Sequence, residues 1–185
     1  MSIVAICNRA LQKLGAARIT ALTDDSRNAR ACSACYEAVR DAELRVHPWS
    51  FAVKRAQLAA ETTAPAFDYD YQYTWPTDAL RILPPNDANL DWQQEGRMIL
   101  SNEAGPLDVR YVARITDTNL FDALFNESLA AKMAMEMCED LTQSNTKAEK
   151  AGADYRNAIR EAKKVNAFEK ISEDPPEDGW VSARR

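Results

Sequence analysis

The stretch Glu43–Ala59, ELRVHPWSFAVKRAQLA, decides how the chain is organised, because the pattern of apolar residues changes within it. Before this stretch, and in its first residues as far as Val46, apolar side chains recur at helical spacing. Pro48 disfavours helical geometry at the residue before it, so a helix is expected to end or bend at His47. Trp49 and Phe51 then follow as large apolar side chains. The stretch predicts a corner where a long helix ends and the chain turns, anchored by aromatic rings.

His47 is the only histidine among the 185 residues, so a catalytic role for it has to be weighed. Its local sequence offers one carboxylate, Glu43, one helical turn earlier, and no nucleophile. A histidine base needs partners that orient it and receive its proton, which favours capping or packing here. We therefore interpret the set His47, Pro48, Trp49 and Phe51 as a structural corner.

Helical spacing recurs on both sides of this corner. A first helix is predicted between the cap Ser2 and Gly15, and a second between Thr23–Asp25 and the corner. A third helix is predicted after residue 116, where apolar residues recur every four positions. These residues are Phe121, Phe125, Leu129, Met133 and Met137. The run Thr146–Glu149 has the pattern of a capping box and predicts the start of a fourth helix.

Between the second and third helices the apolar period changes to that of strands. Aromatic residues alternate with polar ones from Phe67 to Trp75, and Glu95–Gly96 suggests a hairpin turn. The prediction is a mainly α protein: a four-helix bundle with an inserted small antiparallel β lobe and an extended C-terminal tail. Residues 1–65 and 116–170 form the bundle, 66–115 the β lobe and 171–185 the tail.

Composition limits the classes of function. A net charge of −5 argues against a protein that grips nucleic acid phosphates, although DNA could pass without being held. The opening residues have neither a leader pattern nor an uninterrupted apolar run, so we expect a soluble protein with no membrane partner.

Motifs for catalysis, cofactors and metals are missing from the sequence. The four cysteines (Cys7, Cys32, Cys35 and Cys138) fit neither a disulfide framework nor a zinc site, and the Cys32–Cys35 pair falls within a predicted helix. Asp68 and Asp70 are explained by strand alternation. The prediction is that the protein is not an enzyme and has no catalytic, cofactor-binding or metal-binding residues.

The ordered segments resemble the tail tubular protein A family, the head-to-tail adaptor (head completion) proteins of short-tailed and related bacteriophages. The resemblance is carried by Leu14–Gly15, by Ile19 with Leu22, and by the run from His47 to Ala52. It continues through WPTDALRIL (Trp75–Leu83), the long run Glu95–Ala134 and the closing WVSAR (Trp180–Arg184). It covers nearly the whole chain in order, and it is weakest over Pro84–Trp92 and Ser172–Gly179.

The resemblance implies a structural virion protein at the neck of the particle, assembled in the host cytoplasm. It implies a ring of identical subunits, a dodecamer in the family, seated beneath the portal protein and holding the tail nozzle (of the tail tubular protein B type). DNA would pass through the central channel without specific binding during packaging and ejection, and the ring would help retain the packaged genome. An acidic channel wall would repel phosphates, which agrees with the net charge.

The tail contains the candidates for portal docking. Its segment SEDPPED is too polar to fold by itself, yet Trp180 stands beyond it with Arg184 and Arg185 close behind. An aromatic residue with nearby arginines is typical of an interface anchor. In the resembling family the C-terminal segment reaches onto the portal, which implies the same role for these three residues.

Two alternatives stay open at this level. One is a virion-associated cell-wall hydrolase, for which Glu61, Asp68 or Asp70 would be the candidate carboxylates. The other is a different neck protein, such as a tail-terminator ring. Only an adaptor has to bind the portal directly.

Overall fold

A computed structural model describes residues 1–85, 87 and 89–169, and within these ranges it contains four α-helices. Their bounds are α1 (Ile3–Leu14), α2 (Arg27–Val46), α3 (Ala123–Thr142) and α4 (Asn145–Glu169). A 3-10 turn (Ser50–Ala52) follows the corner, and a second one (Thr118–Leu120) precedes α3. The four-helix part of the prediction is confirmed.

Helix ends follow from local chemistry. Ser2 caps α1 by accepting a hydrogen bond from the Ala5 amide at 3.2 Å, and Gly15 ends it with a φ of 70°. The cap of α2 is Ser26, which accepts from the Ala29 amide, and so lies one residue beyond the predicted Thr23–Asp25. The predicted capping box does not start α4, because the helix already begins at Asn145.

Helix α3 forms the centre of the bundle. It packs against α1, α2 and α4, and its apolar residues are buried over more than one stripe. α4 follows after a tight turn and packs back along α3, where small residues such as Ala151 and Ala162 face the core. This arrangement brings the last turn of α4 to the end of the bundle from which the sheets grow.

Six strands form two small antiparallel sheets. The strands are β1 (Val53–Leu58), β2 (Tyr71–Thr74), β3 (Ala79–Ile82), β4 (Trp92–Glu95), β5 (Met98–Ser101) and β6 (Leu107–Ala113). The first sheet has the order β1-β6-β3 and the second the order β2-β5-β4. The predicted hairpin is confirmed, since β4 and β5 pair on either side of Gly96, whose φ is 57°. Buried Tyr73, Ile99 and Tyr111 join both sheets to one core with the helices.

The sheet structure begins earlier than the predicted boundary at residue 66. β1 follows the corner directly and pairs with β6 along its whole length, from Val53 opposite Val112 to Leu58 opposite Leu107. Sequence reasoning missed this strand because Lys54 and Arg55 interrupt any strict alternation. The fold class is nevertheless as predicted: mainly α, with small antiparallel sheets inserted between the second and third helices.

The predicted tail, residues 171–185, lies outside the described residues. In the described part of the chain, no helix combines the length and apolar character needed to cross a membrane.

Candidate functional site at the helix-to-sheet corner

The corner lies between the end of α2 and the start of β1. α2 ends at Val46, and His47 leaves the helix with an extended backbone. The Trp49 amide donates to the His47 carbonyl at 2.9 Å, which tightens the turn before the 3-10 segment starts. The chain then enters β1 at Val53. A single proline-directed turn therefore connects the longest helix of the N-terminal half to the first sheet.

Trp49 is the anchor of this corner. Its side chain is 1% exposed, and its indole nitrogen donates to the Glu43 carbonyl at 2.9 Å. Its ring lies edge-on to His47 at 4.8 Å and to Phe125 at 5.1 Å, and stacks on Phe51 at 6.3 Å. The predicted role of Trp49 and Phe51 as aromatic anchors is thus visible in their contacts.

Asn166, in the last turn of α4, clamps the corner from the other side. Its side-chain oxygen accepts from the Ser50 amide at 2.9 Å, and its nitrogen lies 3.3 Å from Nε2 of His47. The side chain is 5% exposed. The clamp therefore ties the last described turn of α4 to the corner.

Glu43 is a buried carboxyl group at this site. It is 1% exposed, its Oε1 accepts from the Tyr155 hydroxyl at 2.6 Å, and its Oε2 has no hydrogen-bond partner among the described residues. Burial raises the pKa of Glu43 above its usual value of 4.5, opposed by the bond from Tyr155 and by the charges of Lys132 and Lys163. The charged form is disfavoured because the buried carboxylate has lost most of its hydration.

Glu43 is expected to make stability fall as the pH rises. Its folded-state pKa lies above the unfolded value, so the folded state favours the neutral carboxyl group. The stability that this group contributes is therefore complete below about pH 4.5 and is lost as the pH rises through the folded pKa. Glu43→Gln keeps the acceptor for Tyr155 but cannot ionise, so its melting temperature should vary less between about pH 5 and 8. Thermal melts of both proteins across this range test this.

The control for that experiment is Glu37→Gln, because Glu37 is exposed on the same helix. This variant should follow the wild-type pH profile. If the melting temperature of Glu43→Gln varies with pH as much as that of wild type, ionisation of Glu43 does not cause the pH dependence of stability.

His47 is expected to tolerate an isosteric polar replacement. His47→Gln places an amide where the ring nitrogen meets Asn166, so the clamp on the last turn of α4 should persist. The variant should fold with a melting temperature near that of wild type, as judged by thermal melts. A melting temperature well below that of wild type would show that an amide cannot replace the ring at this corner.

All four cysteines are free thiols and are buried or half-buried. Cys7, Cys32 and Cys138 are buried and unoxidised, and Cys35 is half-buried. The hydrogen bond with Cys32 and burial raise the pKa of the Cys7 thiol, and burial raises that of Cys35 to about 11. Thiolates are therefore scarce at these two positions at neutral pH. Among the described residues, no group of three His, Cys, Asp or Glu side chains converges as metal ligands would.

The carboxylates considered for a hydrolase lie apart from the corner. Glu61, Asp68 and Asp70 are all exposed, and Oε1 of Glu61 accepts from the Thr74 hydroxyl at 2.6 Å. A groove of about 670 Å³ runs along the first sheet, but none of the three carboxylates lines it. Its lining includes Arg55 and Arg110 together with acidic, apolar and proline residues.

The portal-docking candidates Trp180, Arg184 and Arg185 lie outside the described residues. Sequence reasoning identified Glu43 as the carboxylate near His47, but it missed Asn166 and Tyr155 as members of the corner, because each is an ordinary position in a helical pattern.

Comparison of the chain with protein-family models gives no match, and comparison with curated proteins gives none either.

Proposed function

We propose that the protein is a head-to-tail adaptor subunit of the tail tubular protein A kind. Twelve copies form a ring between the portal and the tail nozzle, and DNA passes through the ring during packaging and ejection. The ring resides in the neck of the virion and is assembled in the host cytoplasm. This is a structural role, with no cofactor and no metal.

The observation that carries the proposal is the corner. The run His47–Ala52 is a main part of the resemblance to this family, and it forms a turn that contacts α2, α3 and α4 through Glu43, Phe125 and Asn166. The same turn is bonded to Asn166 in the last described turn of α4.

The fold supports the same role. The chain forms a helical bundle with a β lobe at one end, as the periodicity of its sequence predicts. The net charge of −5 suits a channel that DNA crosses without sticking.

The experiment that tests the proposal is co-sedimentation of the purified protein with the portal of the same phage. An adaptor sediments with the portal in the absence of every other tail protein. A tail-terminator ring stays in the supernatant under the same conditions, since its place in the neck does not require the portal.

The hydrolase alternative has its own test. Release of soluble fragments from purified peptidoglycan, lost in Asp68→Asn, would support it. We expect no turnover.

A further inference from the structure

Three sulfur atoms from three helices meet in the core of the bundle. Cys7 of α1 and Cys32 of α2 are both 0% exposed, and a hydrogen bond joins their side chains. The sulfur of Cys32 in turn lies 3.8 Å from Sδ of Met137 on α3. We refer to Cys7, Cys32 and Met137 as the sulfur cluster. It places two reduced thiols from different helices in contact with each other.

The hydrogen bond gives the two thiols different chemistry. Cys7 donates to Cys32, which raises the pKa of the Cys7 thiol and lowers the pKa of the Cys32 thiol against the opposing effect of burial. Cys32 is therefore the thiol that more readily becomes a thiolate, the form that reacts with oxidants. Cys7 keeps its proton and is in position to react with the group that forms on the Cys32 sulfur.

The other two cysteines are less suited to this chemistry. Cys35 is half-buried, its thiol donates to the Cys32 carbonyl at 3.7 Å, and burial raises its pKa to about 11. Cys138 is buried, and its sulfur lies 3.4 Å from the Thr142 hydroxyl, one turn along the same helix. Exposure alone would make Cys35 the first thiol to be oxidised, whereas thiolate character and contact favour Cys32 together with Cys7.

A covalent bond between Cys7 and Cys32 would connect two helices that otherwise meet little. α1 and α2 each pack mainly against α3, and few of their residues contact each other directly. The two cysteines are 25 residues apart in the chain, and closing a loop of that length restricts the unfolded state. A disulfide at this point would therefore join α1 to α2 and oppose the separation of α1 from the bundle.

We propose that Cys7 and Cys32 are a redox-sensitive pair, which hydrogen peroxide converts into a disulfide between α1 and α2. Peroxide is the oxidant named because a small neutral molecule can enter a core that opens only locally. The proposal rests on the sulfur cluster alone. It goes beyond the adaptor role, since it concerns the single folded subunit.

The reaction has two steps. The Cys32 thiolate attacks one oxygen of the peroxide, the O–O bond breaks, and a sulfenic acid on Cys32 and a hydroxide ion form. The hydroxide takes up the proton that Cys32 had released and becomes water. The Cys7 sulfur then attacks the Cys32 sulfur, the S–O bond breaks, and the departing hydroxide leaves with the Cys7 proton as a second water. The two thiols lose two electrons, and the peroxide gains them.

Peroxide treatment of the full chain, without any portal, tests the proposal. Free thiols counted in denaturant after the treatment should fall from four to two. Digestion without reduction should give a linked pair of peptides, one with Cys7 and the other with Cys32, which dithiothreitol separates. Cys35→Ala is the matched control, because it removes the more exposed thiol of the same helix and should leave the linked pair unchanged. These measurements on wild type hold even if a variant folds poorly.

Four outcomes would overturn the proposal. A link that disappears in Cys35→Ala would assign the reactive thiol to Cys35. Oxidation of Cys32 to a sulfinic acid, with Cys7 still reduced, would show that the two sulfurs cannot form a bond. Four thiols remaining after prolonged treatment would show that peroxide does not reach the sulfur cluster. Links found only in dimers would assign the reaction to two copies of the chain. None of these results depends on whether the protein binds a portal, so the adaptor role stands or fails separately.

Discussion

Replacing Trp49 by alanine is expected to lower the free energy of unfolding by about 3–5 kcal/mol. The side chain is 1% exposed and packs against Phe51 and Phe125, so the substitution leaves a cavity at the junction of bundle and sheet. The loss also leaves the Glu43 carbonyl without its indole donor in a buried place. Both effects lower the free energy of unfolding. Chemical denaturation of wild type and variant measures the difference.

Phe67→Ala is the matched control for Trp49→Ala. Phe67 is 76% exposed, so its removal takes an aromatic ring from the surface instead of the core. We expect a change within about 0.5 kcal/mol for this variant. If Trp49→Ala also left the denaturation midpoint unchanged, the corner would not be the anchor described here.

Deleting residues 172–185 is expected to abolish portal binding while leaving the melting temperature of the subunit nearly unchanged. The described core, from α1 to the end of α4, is complete without these residues. Calorimetry of the subunit and co-sedimentation with the portal measure the two quantities separately.

A full-length variant shows which part of the tail docks. Trp180→Ala combined with Arg184→Gln and Arg185→Gln should lose portal binding as fully as the deletion. Neutralising the acidic residues 173–178 should leave most of the binding intact, because the anchors remain. A truncated protein that joins the portal with normal affinity would show that the docking surface lies elsewhere.

The corner was predictable from the sequence because its signals are local. Pro48 disfavours the helix, and the large apolar residues Trp49 and Phe51 follow at once, so three neighbouring residues predict the turn. The cap at Ser2 and the left-handed Gly15 were predictable for the same reason. Each depends on the chemistry of one helix end.

Features that depend on distant partners were not predictable. The clamp joins Ser50 to Asn166, and the buried carboxyl joins Glu43 to Tyr155, both more than 100 residues apart in the chain. No spacing rule identifies such pairs in a single sequence. The cross-strand pair of Arg55 and Arg110 is similar, since these residues become neighbours only through the register of β1 and β6.

The second helix cap shows how a local signal can mislead. Asp24 has the right type for a cap, but its carboxylate accepts from the Thr20 and Ala21 amides and closes the preceding loop. Ser26 then caps α2. Acceptors close together in sequence compete for the same backbone donors, and the fold of the loop decides between them.

The most direct test of the adaptor role is the mass and symmetry of the complex formed with the portal of the same phage. Twelve copies of the 20.7 kDa chain would add about 250 kDa to the portal, and averaged images should show a twelvefold ring on one side of it. Native mass spectrometry with negative-stain microscopy gives both values from one mixture. A portal whose mass is unchanged, or which gains isolated subunits without a ring, would contradict the account.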